Sequence, residues 1–211
     1  MKILIIAGGK APSLRLIEKE KINTDIIICA DSGANCLFKY DIVPNYIIGD
    51  LDSIEDKALN YFKKNRTRFE SYMREKNFTD SEAALKKAIT LGAEEIVFLG
   101  CTGSRVDHFL GNIGLLSKCL EYSVDASIKD DNNAIKIYNK SFKLSGNPGE
   151  EFSLQAYCNK VENLSIEGAK YELENYNLTL GDSRTISNVF SDFLVNISFD
   201  SGVLLVIRSH D

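Results

Sequence analysis

Tryptophan is absent from this 211-residue chain, proline occurs three times and histidine twice. Without Trp, any aromatic platform for a ligand ring must come from Tyr or Phe. The two histidines, His108 and His210, and five scattered cysteines (Cys29, Cys36, Cys101, Cys119 and Cys158) form no CxxC and no cluster, which argues against a zinc site. An odd, dispersed set in mostly apolar surroundings reads as buried, reduced thiols of a cytosolic protein, not as a disulfide framework. No apolar run approaches membrane-spanning length. Met1 to Gly9 is too short for a signal peptide and reads as a first strand. A basic excess is lacking as well: the net charge of -5 argues against nucleic acid or an anionic membrane as partner. That charge is an average, and a local basic pocket can still hold phosphates. GxxxxGK[ST] is missing, which excludes a Walker-type NTPase, and the lack of GxGxxG counts against a dinucleotide dehydrogenase.

What is present is 44% hydrophobic residues, enough for a substantial core, in two contrasting halves. Up to about residue 124, apolar β-rich runs alternate with stretches of helical spacing. Strands are expected at Lys2–Ala7, Asp25–Ala30, Pro44–Ile48, Arg68–Met73 and Glu95–Leu99. Helices are expected at Ser13–Lys21, Ala34–Tyr40, from Ser53 to about Lys64, from Thr79 to Leu91, and Val106–Glu121. Such alternation implies right-handed βαβ units around a mostly parallel sheet. From 125 to 211 helical periodicity is essentially gone. Short strand-like runs are separated by turn signals such as Asp131-Asn132-Asn133, Gly146-Asn147-Pro148-Gly149 and Asp200-Ser201-Gly202. The expected architecture is an α/β sandwich domain over 1–124 and an all-β sandwich domain over 125–211. The first one or two strands of the second half are alternatively an extension of the first sheet.

In an open α/β sheet, ligands bind beyond the carboxyl ends of the strands. The residues found there are Gly8-Gly9-Lys10, Asp31-Ser32-Gly33-Ala34-Asn35, Asp50-Leu51-Asp52-Ser53, Glu75 to Asp80, and Gly100 to His108. All five segments are small, polar or charged. The Asp50-Leu51-Asp52 pair is the most pointed. Two carboxylates that repel each other invite a cation, although Asp52 or Ser53 can also be a helix N-cap with Asp50 as a turn residue. Asp80, in the first turn of a helix, has its own dipole explanation. Glycine segments entering helices leave room for phosphate against backbone N–H groups, and Arg105 can add a bidentate contact. Gly8-Gly9-Lys10 is read as the first βα turn.

The blocks Ala30-Asp31-Ser32-Gly33-Ala34-Asn35, Ile48-Gly49-Asp50-Leu51-Asp52-Ser53, Lys76-Asn77-Phe78-Thr79-Asp80 and Thr102-Gly103-Ser104-Arg105-Val106-Asp107-His108 occur in this order. A weaker block, Thr185-Ile186-Ser187-Asn188, follows in the β half. Together they resemble the thiamine pyrophosphokinase family over nearly the whole chain. The resemblance implies a catalytic α/β domain, a β-sandwich domain, and transfer of the ATP pyrophosphoryl group to the hydroxyl of thiamine, with AMP leaving. It further implies Asp50, Asp52 and Asp80 as catalytic acids holding Mg²⁺, and Asp31, Ser32, Gly33 and Asn35 at the ATP site. Thr102, Gly103, Ser104, Arg105, Asp107 and His108 would close over the nucleotide. Ser187 and Asn188 would contact thiamine across a homodimer interface in a cytoplasmic enzyme.

Asn77 stands where the family usually carries an acid, which removes one charge, and Val189 where a Glu usually follows Ser-Asn. Ser104 replaces a common Gly, and Arg184 to Asn188 departs from Gly-Thr-Ser-Asn. The resemblance assigns no base to the thiamine hydroxyl. A related pyrophosphokinase acting on another alcohol, such as a pterin, and a non-catalytic thiamine or nucleotide sensor are the alternative readings.

Overall fold

The computed structural model describes residues 1–73 and 77–210. The chain folds as two compact units, Met1–Asp131 and Asn132–Asp211. In chain order the first contains β1 (Lys2–Ile6), α1 (Leu14–Lys21), β2 (Ile26–Ala30), α2 (Gly33–Lys39) and β3 (Tyr46–Gly49). It continues with α3 (Asp56–Lys64), β4 (Arg68–Ser71), α4 (Asp80–Thr90), β5 (Glu95–Leu99), α5 (Val106–Glu121) and β6 (Asp125–Lys129).

Its strands lie in the order β6-β5-β1-β2-β3-β4, and every described pairing among them is parallel. The central strands are buried at nearly every position. That pattern belongs to a parallel sheet covered on both faces. Leu4 and Ile6 of β1 point into a cluster with Ile17 of α1, Ala34 and Leu37 of α2, and Ala58 and Phe62 of α3. Ile3 and Ile5, also buried, face the other way. The strand order reverses between β1 and β5, so the carboxyl ends of those two strands flank the crevice where ligands of such sheets bind. No helix among the described residues is long and apolar enough to cross a membrane.

The division expected between 124 and 125 falls between Asp131 and Asn132 instead. The reason is β6, which reads as a lone short strand but pairs in parallel with β5 from Glu95↔Asp125 to Phe98↔Ile128. This is the alternative the sequence left open, an extension of the first sheet. Polar ties fasten its end to α1. The Glu20 carboxylate, 4% exposed, accepts two hydrogen bonds from Lys129 Nζ at 2.9 Å. Ser13 donates its backbone N–H to Asp131 at 3.1 Å and its hydroxyl to the same carboxylate.

The second unit comprises β7 (Asn133–Tyr138), β8 (Phe142–Ser145), β9 (Glu151–Ala156), β10 (Lys160–Glu167), β11 (Leu173–Thr179), β12 (Asn188–Val189), β13 (Leu194–Ser198) and β14 (Leu204–Ser209). One layer runs β12-β9-β14-β7 and the other β11-β10-β13-β8, with antiparallel neighbours throughout. Alternation along β9 sends Phe152, Leu154 and Ala156 inward, where they join Val161, Leu164, Ile166, Val195 and Ile197 from the other layer. A β-sandwich is therefore the correct class. The short β8 and two-residue β12 went unread, because neither is long enough to display a period.

Candidate functional site

Each parallel strand delivers a polar turn to the same edge of the first sheet. There a pocket of about 1000 Å³ is lined by Gly8, Gly9 and Lys10, by Asp31 and Ser32, by Ser53, by Thr79 to Ser81, by Gly100 to Arg105, by His108 and Asn112, and by Asp130. Of the residues expected there, Asp31, Ser32, Asp80, Thr102, Gly103, Ser104, Arg105 and His108 line it. Gly33, Asn35, Asp50, Asp52 and Asp107 are not among its described lining residues. Lys76 of the Lys76-Asn77 block and Glu75 lie outside the described residues.

Asp50 and Asp52 converge on Asp31. Ligand oxygens from these three carboxylates lie within 4.8 Å of one another. Asp31 adopts a left-handed backbone (φ 44°) at the end of β2, and its Oδ1 is buried without a hydrogen-bond partner. Burial pushes its carboxyl above the usual 3.8, and the Asp80 and Asp50 charges push the same way. Asp80 therefore faces the same spot. Gly49 explains how: at φ 154°, an added Cβ would lie 2.9 Å from Asp31 Cβ and 3.0 Å from Asp80 Oδ1, so only glycine leaves room for the acids to gather. The sequence expectation grouped Asp50, Asp52 and Asp80 as metal ligands and gave Asp31 to the nucleotide. The structure groups Asp31 with Asp50 and Asp52.

Several polar side chains hold this arrangement. Asn35 Oδ1 accepts from Glu55 N–H at 2.9 Å, and its Nδ2 donates to Ser53 O at 3.0 Å. Ser53 was expected to cap the next helix. It does not: α3 begins at Asp56 behind Glu55, which makes no side-chain cap, and Ser53 Oγ donates to Asp52 Oδ1 at 2.9 Å. Thr79 does cap its helix, accepting from Glu82 N–H at 3.2 Å and placing Asp80 at the first position of α4.

Gly9 N–H donates to Gly100 O at 2.8 Å and Lys10 N–H to Thr102 O at 2.6 Å, tying the first turn to the loop before α5. Asn112, nearly buried on α5, donates to Cys101 O at 2.9 Å. Arg105 grips Asp107 through Nε at 3.0 Å and Nη2 at 2.5 Å. The guanidinium holds that carboxyl well below the usual range. Cys101 lines the pocket, but burial pushes its thiol up to about 12, so it is no nucleophile. Of the other lining residues, Lys10 was read only as part of the first βα turn, and Asn112 and Asp130 were not expected. Only the position of Lys10 after a strand hinted at a site residue, whereas the other two are revealed by tertiary placement.

In the second unit, Asn188 is buried and fully engaged. Its Oδ1 accepts from Tyr171 N–H at 3.0 Å and from Val189 N–H at 2.9 Å, and its Nδ2 donates to Tyr171 O at 2.8 Å. Tyr171 itself is 57% exposed. Ser187 is exposed and takes a left-handed φ of 54°. It follows Thr185, whose hydroxyl donates to Leu154 O at 2.6 Å.

A parallel α/β unit with an acid-lined, glycine-rimmed pocket, followed by a β-sandwich, defines a two-unit transferase of the phosphate-handling kind. Comparison with known proteins specifies which. Residues 17–128 match the family model described as thiamin pyrophosphokinase, catalytic domain, and residues 139–204 match thiamin pyrophosphokinase, vitamin B1 binding domain. The chain is 30% identical over 211 residues to the thiamine pyrophosphokinase of Bacillus subtilis (strain 168), covering 99% of each. The crystal structure of a Bacillus subtilis thiamine pyrophosphokinase superposes with a TM-score of 0.90 at 29% identity, over 100% of both chains. A thiamin pyrophosphokinase family protein from Enterococcus faecalis gives 0.87 at 26% identity, again over 100% of both. The chain belongs to the thiamin pyrophosphokinase family and is an enzyme of that family.

Proposed function

We propose that this enzyme transfers the pyrophosphoryl group of ATP to the hydroxyl of thiamine, giving thiamine diphosphate and AMP, with Mg²⁺ at the carboxylate cluster. The observation that carries the cation is the buried, unpartnered Asp31 Oδ1 beside Asp50 and Asp52. An all-oxygen donor set of this kind suits Mg²⁺ completed by phosphates and water. Asp31, Asp50 and Asp52 would hold the ion, with Asp80 alongside. Bound there, it would neutralise phosphate charge and align the transferred group.

The remaining work falls to the chain itself. Backbone N–H groups around Ser32-Gly33 and Thr102-Gly103-Ser104 receive phosphate oxygens, aided by the N-terminal ends of α2 and α5. Arg105, already oriented by Asp107, adds a planar cation, and His108 lies at the rim. Displacement at phosphorus needs positioning and charge stabilisation more than covalent help. In the second unit Tyr171 offers an aromatic face for a thiamine ring, with Ser187, the residue before the Asn188 that bonds the Tyr171 backbone, as a hydroxyl partner. We assign Asn188 to holding Tyr171 in place, because its own carboxamide is occupied.

The active form is a homodimer with thiamine bound between subunits, a reading that rests on the family resemblance. The cytoplasm is its place, as five free thiols suit a reducing compartment. The test is to supply ATP, Mg²⁺ and thiamine to the purified protein. Equal amounts of AMP and thiamine diphosphate are expected. Release of ADP, or thiamine binding without AMP formation, overturns the reaction. Sedimentation at working concentration checks the dimer.

A further inference from the structure

We propose that Lys10 is a phosphate-binding residue, contacting the transferred end of the nucleotide's phosphate chain beside the carboxylate cluster. The proposal rests on the functional reading above and concerns a residue that lies before the matched catalytic stretch, 17–128.

Three observations carry it. First, the loop bearing Lys10 is fixed at both ends. On one side stand the two backbone hydrogen bonds to Gly100 and Thr102. There is no slack between these strands: a Cβ on Gly9 would come 2.2 Å from Thr102 O and 2.5 Å from Gly100 O. On the other side, Asp131 holds Ser13 by its N–H and its hydroxyl. Between them Cys36 Sγ reaches Pro12 O at 3.7 Å. A lysine on such a loop loses only side-chain freedom on binding, so more of its attraction appears as affinity.

Second, the charges around the pocket are unbalanced. Asp31, Asp80 and Asp130 line it. Its other strong cation, Arg105, is already bonded twice to Asp107. Among the described lysines and arginines lining the pocket, Lys10 alone has an ammonium with no ion pair or hydrogen bond to a protein group. A pocket that receives a polyphosphate next to four aspartates needs such a cation.

Third, Lys10 sits near the acids. An added Cβ on Gly8 would meet Ser32 Oγ at 2.1 Å, so Gly8 touches the residue that follows Asp31. Two residues further along, the chain has advanced by about 7 Å at most. Lys10 lines the same pocket as Asp31 and Asp80, and the ammonium on its four-carbon stem is within reach of the space between the first turn and the cluster. A point charge on a flexible stem suits phosphate binding, since the phosphates shift during transfer.

The test compares Lys10→Met, Lys10→Arg and, as a charge-matched control, exposed Lys21→Met at the far end of α1. Affinities for ATP and AMP with Mg²⁺ are measured by calorimetry, and KM is measured for ATP and thiamine. Lys10→Met should weaken ATP binding about tenfold or more, the loss of one charged hydrogen bond. AMP binding and the thiamine KM should stay unchanged, and Lys10→Arg should recover most of the loss. Lys21→Met should match the unsubstituted enzyme. If the enzyme forms thiamine diphosphate and Lys10→Met binds ATP as well as it does, the proposal fails and the functional reading stands. Equal weakening for AMP and ATP also overturns it. If ATP binds but no thiamine diphosphate forms, the functional reading fails, and the ATP-against-AMP comparison still decides the role of Lys10. An enzyme that binds no ATP refutes both.

Discussion

Asn35 on α2 clamps the turn that leads out of the acid pair, accepting from Glu55 N–H at 2.9 Å while donating to Ser53 O at 3.0 Å. Both ends of its carboxamide are thus occupied by protein, twenty residues along the chain at one end and eighteen at the other. Its consequence for function runs through Asp52, whose carboxylate receives the Ser53 hydroxyl.

Asn35→Ala should cost about 0.5–1.5 kcal/mol of stability, the net worth of a typical hydrogen bond whose partners can turn to water. It should also raise the Mg²⁺ concentration needed for half-maximal AMP formation, because the turn no longer fixes Asp52. Denaturant melts and Mg²⁺ titrations at saturating ATP measure these separately. A raised KM for ATP with an unchanged Mg²⁺ requirement would instead make Asn35 a direct nucleotide contact, as the family resemblance implies.

The Asp31 carboxyl ties stability to pH. Its pKa is raised in the folded state above 3.8, by burial first and then by Asp80 and Asp50. The folded form therefore holds the proton more tightly than the unfolded form. Its contribution is fully present below the unfolded value and is lost as pH rises through the folded value. Without divalent cations, stability should fall over that window. Asp31→Asn should be the more stable protein at neutral pH, with a flatter pH profile. Mg²⁺ should raise the melting temperature of the unsubstituted chain more than that of Asp31→Asn. An equal rise in both would remove Asp31 from the ion.

Much of this organisation was legible in the residues themselves. Strand-helix alternation, the turn after each strand, and the acids at Asp50 and Asp52 are local signals, and they place the pocket at the correct edge. What was not legible depends on contacts between distant segments. Asp31 joins the acids because β2 and β3 are neighbours in register, with Ala30 opposite Ile48. Ser53 looks like a cap because capping residues and carboxylate partners share one chemistry, a hydroxyl. Asn188 looks like a ligand contact, yet its partner is the backbone of Tyr171, seventeen residues earlier. β6 was ambiguous because a five-residue strand does not disclose which sheet it joins.

The family resemblance implies one role for Ser187 and Asn188, contact with thiamine, whereas the proposed assignment gives the aromatic face to Tyr171 and the support of its backbone to Asn188. Tyr171→Ala should raise the KM for thiamine about tenfold by removing an aromatic face, with the ATP KM unchanged. Asn188→Ala should lower the stability of the second unit by about 1–3 kcal/mol, since it strands the Tyr171 N–H and carbonyl. Asn188→Asp keeps the acceptor for the two N–H groups but turns an anionic oxygen toward Tyr171 O at a buried position, so it too should lower stability. Thermal melts together with thiamine kinetics read both. If Asn188→Asp loses thiamine affinity with stability intact, its carboxamide touches the substrate itself.

Two glycines on the catalytic unit should respond in opposite directions to the same added methyl. Gly9 is wedged against backbone, with Thr102 O and Gly100 O both inside contact distance of an added Cβ. Neither is the end of a flexible side chain, so Gly9→Ala must separate the first turn from the loop before α5. A loss of about 1–3 kcal/mol is expected, the usual cost of overpacking. ATP affinity should fall with it, because Lys10 and the Thr102 loop move apart. Gly111 lies inside α5 with nothing within 4 Å of its added Cβ. There Gly111→Ala should stabilise by about 0.5–1 kcal/mol through helix propensity alone. Denaturant unfolding of both variants, with ATP titrations on each, checks the pair. A Gly9→Ala protein as stable as the unsubstituted chain would mean that the two loops are not locked together, and would remove the rigid mounting on which the affinity contributed by Lys10 depends.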